Sequence, residues 1–121
     1  MTEIKYLPQP HPNVTRSDVE RVAKRDFPPD GTVALSILKE SNELVLRAGE
    51  HRVHLAILKL ANRDLDRVRY WVDGANRDPR EVLARAEYPE YARAFAGSRP
   101  LEQQKRIIDS DWKQYQDWLN R

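Results

Sequence analysis

Apolar residues recur at helical spacing along most of the chain. In an α-helix, side chains at i, i+3, i+4, i+7 and i+8 lie on one face. The clearest stripes are Val53, Ala56, Ile57, Leu60, Ala61; then Leu65, Val68, Val72, Ala75; then Val82, Leu83, Ala86. No segment has the alternation of a β sandwich. We predict an all-α protein: a compact bundle of about six or seven short helices with short turns, ending in a longer C-terminal amphipathic helix.

Boundary signals divide the N-terminal half into helices. Ser17 followed by Glu20 is a capping box, in which each side chain bonds the other residue's backbone N–H. The first helix should stop at Phe27–Pro29 (FPP), since residues before proline avoid the α region. Asp30 is then placed to cap a helix over "GTVALSILKES" (31–41). That segment is rich enough in β-branched residues for a strand to remain an alternative.

Residues 43–57 fit two structures. "ELVLR" and "RVHLAI", separated by Ala48 and Gly49, resemble the two strands of a β-hairpin. The helical periodicity that begins at Val53 is the better fit. We expect a central helix, apolar most of the way round, and the hairpin remains the alternative.

The tetrapeptide "ANRD" occurs twice, at 61–64 and 75–78. Each copy ends in an aspartate just before a new amphipathic stretch, so Asp64 and Asp78 are predicted N-caps. Pro79 then occupies the first helical position, where its missing N–H costs nothing. Asp78 with Glu81 also has the spacing of a capping box. The duplicated tetrapeptide therefore indicates two similar junctions between helices.

Proline and glycine also delimit the C-terminal part of the chain. Pro89 should break the preceding helix, Gly97 is a candidate left-handed stop, and Ser98 and Pro100 should open the last helix. On a helical wheel at 100° per residue, the apolar residues of this helix fall within about 60° of one another. They are Leu101, Ile108, Trp112, Tyr115 and Leu119.

Length and composition indicate one folded domain. The chain has 121 residues, of which 40% are hydrophobic and 33% charged, with a net charge of only +2. Such a balance is typical of a folded domain with a charged surface rather than a disordered chain. Because Pro8, Pro10 and Pro12 lock the backbone, we expect an extended arm at 1–15 and a single helical domain at 16–121.

Several classes of protein are excluded or unexpected. The chain has no cysteine, which excludes thiol catalysis, disulfides and cysteine-based metal sites. No apolar run approaches the roughly 20 residues that span a bilayer. The start "MTEIKYLPQPHP" lacks the basic and apolar segments of a signal peptide. We therefore expect a cytoplasmic protein with no membrane partner.

His51 and His54 are the chain's candidate metal or proton-transfer residues. Both lie within "EHRVH", at i and i+3, and their side chains point about 60° apart on a helix. A helical zinc site instead has histidines at i and i+4 with a glutamate between, as in HExxH. Arg52 also lies beside them and disfavours a cation. We interpret His54 as a residue at the edge of the core and His51 as its solvent-facing neighbour, with metal binding or acid–base chemistry as the alternative.

Arginines are concentrated in the middle of the chain. Their functional interpretation is a surface that contacts phosphates or nucleic acid. The candidate residues are Arg63, Arg67, Arg77, Arg80 and Arg85. Acidic residues alternate with them, which is typical of an ordinary charged helix surface. Nucleic-acid binding is therefore the second interpretation, not the first.

Aromatic residues provide the candidate protein interface. Trp, Tyr and Arg are enriched in the central contacts of interfaces. The candidate residues are Trp71, Trp112, Tyr115, Trp118 and Leu119. The alternative is that the last helix uses its aromatic residues to close the domain's own core.

Recognisable catalytic motifs are missing from the sequence. It contains neither a P-loop nor a G-x-G-x-x-G or G-x-S-x-G motif, and it has only four glycines. We predict a small non-enzymatic protein without a cofactor, which acts by binding an unknown protein or a second copy of itself. The alternatives are weak nucleic-acid or phosphate binding and, last, an enzyme centred on His51 and His54.

Overall fold

The computed structural model describes residues 7–121, and these residues form an all-helical protein. They contain seven α-helices, one short 3₁₀ helix and no strand. The prediction of an all-α protein with about seven helices is therefore confirmed, including the long helix at the C-terminus.

The helices follow one another with short connections. The first four are α1 (Arg16–Asp26), α2 (Gly31–Leu38), α3 (Glu43–Ala61) and α4 (Leu65–Arg77). The remainder are α5 (Pro79–Glu87), α6 (Pro89–Arg93), the 3₁₀ helix (Ala96–Ser98) and α7 (Leu101–Leu119). Residues 7–14, which belong to the predicted proline arm, have no regular secondary structure. Residues 1–6 of that arm lie outside the described part of the chain.

These elements are distributed over two compact units. Pro12–Ala86 contains α1 to α4 and nearly all of α5, and the other unit contains residues 7–11 with 87–121. In the first unit, α3 packs most extensively on α4, and α1 packs on both α2 and α3. The core of this unit is therefore built around α3.

The second half of α3 is buried on every side. All residues from Val53 to Leu58 are buried, His54 among them. A helix that is apolar all round has to be covered by neighbours on several faces, because each exposed apolar side chain would cost solvation free energy. The predicted central helix is confirmed.

Residues 43–57 are helical, so the hairpin alternative is wrong. The helix is interrupted at Gly49, whose φ of 108° and ψ of 92° lie outside the helical region. Only glycine adopts such a φ without strain, because it has no Cβ. Gly49 therefore separates an N-terminal segment of α3 from the segment that contains the buried residues Val53 to Leu58.

The predicted cap of α1 is wrong by two residues. Thr15, with extended backbone angles, is the N-cap, and its side chain forms a capping box with Asp18. Ser17 lies inside the first turn instead. Threonine followed three residues later by an acid satisfies the same orphan N–H groups as the predicted pair. Asp30 precedes α2 as predicted, but its side chain makes no capping hydrogen bond.

Each ANRD junction is capped by its own aspartate, but the backbone conformations of the two junctions differ. Asp64 accepts a hydrogen bond from the N–H of Asp66, and Asp78 accepts from the N–H groups of Arg80 and Glu81. Both predicted caps are confirmed. The Glu81 side chain, predicted to complete a capping box, pairs with Arg85 instead.

The asparagines of the two copies have different roles. Asn62 ends α3 in the left-handed conformation, with φ 49°. Asn76 stays helical, and its Oδ1 accepts from the N–H of Asn42 at 2.8 Å while its Nδ2 donates to the Glu40 carbonyl at 3.2 Å. Asn42 Nδ2 in turn donates to the Asn76 carbonyl at 2.9 Å. These bonds fasten the connection between α2 and α3 to the end of α4.

Two buried polar residues organise the second unit. Gln104 Oε1 accepts from the N–H of Leu7 at 2.9 Å, and its Nε2 donates to the Arg99 carbonyl at 2.8 Å. Asp111 accepts from the N–H groups of Glu90 and Tyr91, at 3.2 Å and 2.9 Å. Buried polar side chains are tolerated when they are hydrogen-bonded in this way.

The buried face of α7 differs from the predicted apolar stripe. It consists of Gln104, Ile108, Asp111, Tyr115, Trp118 and Leu119. Leu101, at the start of the predicted stripe, is 44% exposed. Ile108, Tyr115 and Leu119 of the predicted stripe are buried, but hydrophobicity alone missed Gln104 and Asp111 because both are polar.

The predicted start of the last helix is confirmed, and the predicted left-handed stop is wrong. Pro100 is the N-cap of α7, and Pro89 opens α6. The left-handed residue is Phe95, with φ 51°, and not Gly97, which lies in the 3₁₀ helix. Between residues 7 and 121, none of the helices has the length and apolar character required to cross a membrane.

Candidate functional site

The exposed face of α4 has Tyr70 at its centre. Val68, Val72 and Ala75 form the buried face of this helix. At 100° per residue, Tyr70 points about 170° away from their mean direction. Its side chain accordingly is 63% exposed. The α4 face, as used below, comprises Arg63, Asp66, Arg67, Tyr70, Asp73, Gly74 and Arg77, of which Arg63 lies in the turn before the helix.

Trp71 lies at the edge of the α4 face and supports Tyr70. The two rings meet edge-to-face, with their centroids 5.0 Å apart and an interplanar angle of 85°. On the other side, the Arg85 guanidinium lies over the indole at 5.9 Å from its centroid. An edge-to-face pair and a cation over a ring are both favourable contacts. Arg85 also pairs with Glu81 at 2.9 Å, which gives its guanidinium a second contact beside the indole.

The five charged residues of the α4 face have no ion pair among the described residues. They are Arg63, Asp66, Arg67, Asp73 and Arg77, and all five are exposed. Some other exposed charges do form ion pairs within the chain, as in Arg47–Glu43 and Arg69–Glu40. The charges around Tyr70 are thus open to groups from outside the chain.

The five candidate arginines do not form one surface. Arg63, Arg67 and Arg77 belong to the α4 face, with Arg63 in a left-handed conformation at φ 67°. Arg85 stands over Trp71 beside that face. Arg80 lies on the other flank of α5, about 140° away from Arg85 on the helical wheel. All five side chains are exposed.

The structure separates the five residues that were candidates for a protein interface. Tyr115, Trp118 and Leu119 are buried, with the Tyr115 and Trp118 rings 5.5 Å apart. Trp112 is half-buried on α7, and Trp71 is half-buried on α4. Of the five, Trp71 is the one that adjoins a strongly exposed aromatic side chain.

His51 and His54 line a small cleft of about 180 Å³ within the first unit. Val19, Leu35 and Leu38 form its apolar part, and Arg16, Glu20, Lys39 and Glu50 contribute charged side chains. His51 is half-buried, and His54 is buried at 7% exposure. His54 is therefore buried more deeply than the predicted edge position, and His51, predicted to face solvent, is only partly exposed.

The buried His54 ring is held by the end of α2. Its Nε2 lies 3.1 Å from Ser41 Oγ, while the Ser41 hydroxyl donates to the Leu38 carbonyl at 2.7 Å. Burial lowers the pKa of His54 below its ordinary value, and the charge of His51 lowers it further. The Glu50 carboxylate and a hydrogen bond to the Leu38 backbone act in the opposite direction. Since burial is the largest effect, the folded protein favours the neutral imidazole.

The cleft has little in common with a metal centre. Within the described part of the chain, no three His, Asp or Glu side chains are grouped so that they could hold a metal ion. Arg16 is paired with Glu20 at 3.1 Å. The hydrogen bond between Ser41 and His54 ties the connection after α2 to α3, which is a structural use of the imidazole.

Comparisons with known proteins give no information about function, so the functional proposal rests on the sites described above. No protein-family model matches the chain, and no curated protein or solved structure is significantly similar to it.

Sequence reasoning did not single out Tyr70, although the signal was present. Tyr70 lies in "RVRYWVDG", where Val68 and Val72 mark the buried side. A residue two positions from each of them must point outward in a helix. Exposed aromatic residues are enriched at protein interfaces, so such a position is a candidate contact.

Proposed function

We propose that this protein acts by binding another protein through the α4 face, with Tyr70 as the central contact and Trp71 and Arg85 at its edge. The observation that carries the proposal is the exposed Tyr70 ring held edge-to-face against Trp71 at 5.0 Å. Tyr, Trp and Arg are the side chains that contribute most binding free energy at interfaces. An aromatic ring that is already fixed loses little conformational entropy on binding.

The proposal uses α4 rather than α7 because of burial. Of the four C-terminal candidates, Trp112 is half-buried, and Tyr115, Trp118 and Leu119 are buried within the chain. A partner would reach these three only if α7 were displaced. Tyr70, by contrast, is exposed, and the charged residues around it have no ion pair among the described residues.

A matched pair of variants tests the proposal by affinity capture from a lysate of the host cell. Tyr70→Ala combined with Arg67→Glu alters the α4 face without touching a buried side chain. Arg80→Glu alters an exposed charge on the other flank of α5 and is the control. We expect the wild type and the control to retain the same protein, and the α4 variant to lose it. Equal retention by all three would refute the proposal.

A second candidate function, weak binding of single-stranded nucleic acid, is favoured by one observation. Arg63, Arg67 and Arg77 lie on the same face as the exposed Tyr70 ring, and bases stack on aromatic rings beside cationic side chains. Asp66 and Asp73 share that face and reduce its positive charge. Titration with fluorescent oligonucleotides distinguishes the two functions: nucleic-acid binding should weaken steeply with salt and be lost in Tyr70→Ala.

A further inference from the structure

We infer that the partner of the α4 face is a second copy of this chain, packed antiparallel through α4 about a two-fold axis at Tyr70. The inference rests on the proposed function and specifies the partner of the same surface. It is argued from the positions of the charged residues along α4 and from the finding that they have no ion pair among the described residues.

The positions of the α4 face are symmetric about Tyr70. They are residues 63, 66, 67, 70, 73, 74 and 77, so that each position before Tyr70 has a counterpart equally far after it. In an isologous dimer the same surface is used by both copies, and residues equidistant from the axis face each other when two helices pack antiparallel. The face therefore matches itself in spacing.

The two-fold rotation about Tyr70 also places charges of opposite sign opposite each other. Arg67 of one copy faces Asp73 of the other, and the symmetry produces this pair twice. Asp66 faces Gly74 and lies within one helical turn of Arg77 of the other copy. None of these four charges has an ion pair among the described residues, so no internal pair has to be broken when the dimer forms.

The balance of charge favours a second copy over a strongly acidic or basic partner. The inner positions hold Asp66, Arg67 and Asp73, and Arg63 and Arg77 lie at the two ends, so both signs of charge are present and the face as a whole carries only +1. Either kind of charged partner would meet like charges there, which disfavours association. Arg63 and Arg77 face each other only at the ends of the pairing, where solvent and salt screen their repulsion.

The centre of the face suits close contact between two helices. Tyr70 lies on the axis, where its ring meets the same ring of the other copy. Gly74, one turn after Tyr70, adds no side chain to the face, and Trp71 and Val82 of the same chain flank it. Trp71 holds the Tyr70 ring from one side in each copy.

Charge reversal combined with sedimentation equilibrium tests the inference. Solutions from roughly 1 to 300 µM cover the weak association expected of a small interface. We expect the wild-type mass to rise with concentration toward twice the 14.2 kDa of one chain. Arg67→Asp and Asp73→Arg should each weaken self-association by more than about tenfold, because each places like charges opposite one another twice.

Mixing the two variants provides the specific readout. In an equimolar mixture, Asp at 67 and Asp73 of one chain oppose Arg at 73 and Arg67 of the other, so the dimer should form again as a heterodimer. Arg80→Asp, which changes a charge on the other flank of α5, should associate like the wild type. Circular dichroism on each variant verifies that these exposed substitutions leave the fold intact.

A wild-type chain that stays monomeric at 300 µM would overturn the inference, as would variants that dimerise alone or a mixture that stays monomeric. Failure of this inference can be distinguished from failure of the proposed function. A monomeric wild type that still captures a different protein, dependent on Tyr70 and Arg67, overturns the second copy as partner and leaves protein binding through the α4 face in place.

Discussion

Ser41 Oγ lies 3.1 Å from Nε2 of His54 and joins the connection after α2 to the buried half of α3. The Ser41 hydroxyl donates to the Leu38 carbonyl, so its oxygen is available to accept from the imidazole N–H. A neutral His54 satisfies this arrangement inside the core. Protonation would place a positive charge there with little access to water.

We therefore expect the protein to become less stable as the pH falls below 6.5. Burial lowers the pKa of His54 in the fold from its ordinary value of 6.5, so the unfolded chain binds the proton first. Stability is unaffected by His54 above that pH, and it is lost as the pH falls from 6.5 through the lower folded pKa. The slope from this single group is at most about 1.4 kcal/mol per pH unit.

Urea denaturation between pH 7.5 and 5.0 measures this dependence. His54→Gln removes the titrating group, and its stability should decline less with acid than that of the wild type. His11→Gln, the same substitution at an exposed histidine, is the matched control. If His54→Gln and the wild type show parallel pH profiles, His54 is not the titrating group.

Replacement of Gly49 by alanine should destabilise the protein by about 1–3 kcal/mol, because a non-glycine residue is strained at φ 108°. Gly74→Ala is the matched control. It lies in regular helix, where an added Cβ would come no closer than 3.8 Å to Trp71. This control should gain about 0.5–1 kcal/mol from helix propensity. Chemical denaturation of the three proteins at one concentration checks both signs, and equal effects of the two substitutions would contradict the kink at Gly49.

Asp111 caps α6 from a distant part of the chain. Its two oxygens accept from the N–H groups of Glu90 and Tyr91, at the start of a helix whose own N-cap makes no side-chain hydrogen bond. Asp111→Asn replaces one acceptor by a donor and should cost about 1–3 kcal/mol of stability. The exposed Asp109→Asn is the control, with little change expected in thermal denaturation. A loss confined to Asp109→Asn would be the contrary result.

Asn76→Ala should destabilise the first unit by about 1–3 kcal/mol, the typical net value of two hydrogen bonds. The substitution removes the acceptor of the Asn42 N–H and the donor to the Glu40 carbonyl. Hydrogen exchange should then accelerate at the Asn42 amide. Asn13→Ala, at an exposed asparagine, serves as the comparison and should leave that amide unchanged.

Periodicity and capping residues predicted the helices well because both signals are local. The buried stripe from Val53 to Ala61 and the caps Asp64 and Asp78 depend on neighbours within a few residues. The duplicated ANRD shows the limit of such signals. Asn62 and Asn76 have the same sequence neighbours, yet one turns left-handed and the other binds Asn42, which is 34 positions away.

The errors in the predicted buried face of α7 also arise from contacts between residues that are distant in sequence. Gln104 and Asp111 are buried because backbone N–H and carbonyl groups from other segments reach them, and no local pattern reports those partners. Among the candidate site residues, the sequence pointed to Trp71 but not to Tyr70. The importance of Tyr70 depends on the exposure of its ring and on its contact with Trp71, and both follow from the position of α4 on the core.

Photocrosslinking at residue 70 tests the protein-binding role of the α4 face most directly. The photoreactive p-benzoylphenylalanine replaces Tyr70 in one version of the protein and Arg80 in a control, each produced and irradiated in the host cell. We expect a covalent protein adduct at position 70 and little at position 80, with a mass of two chains if the partner is a second copy. An adduct yield at position 70 no higher than at position 80 would contradict a protein-binding role for the α4 face.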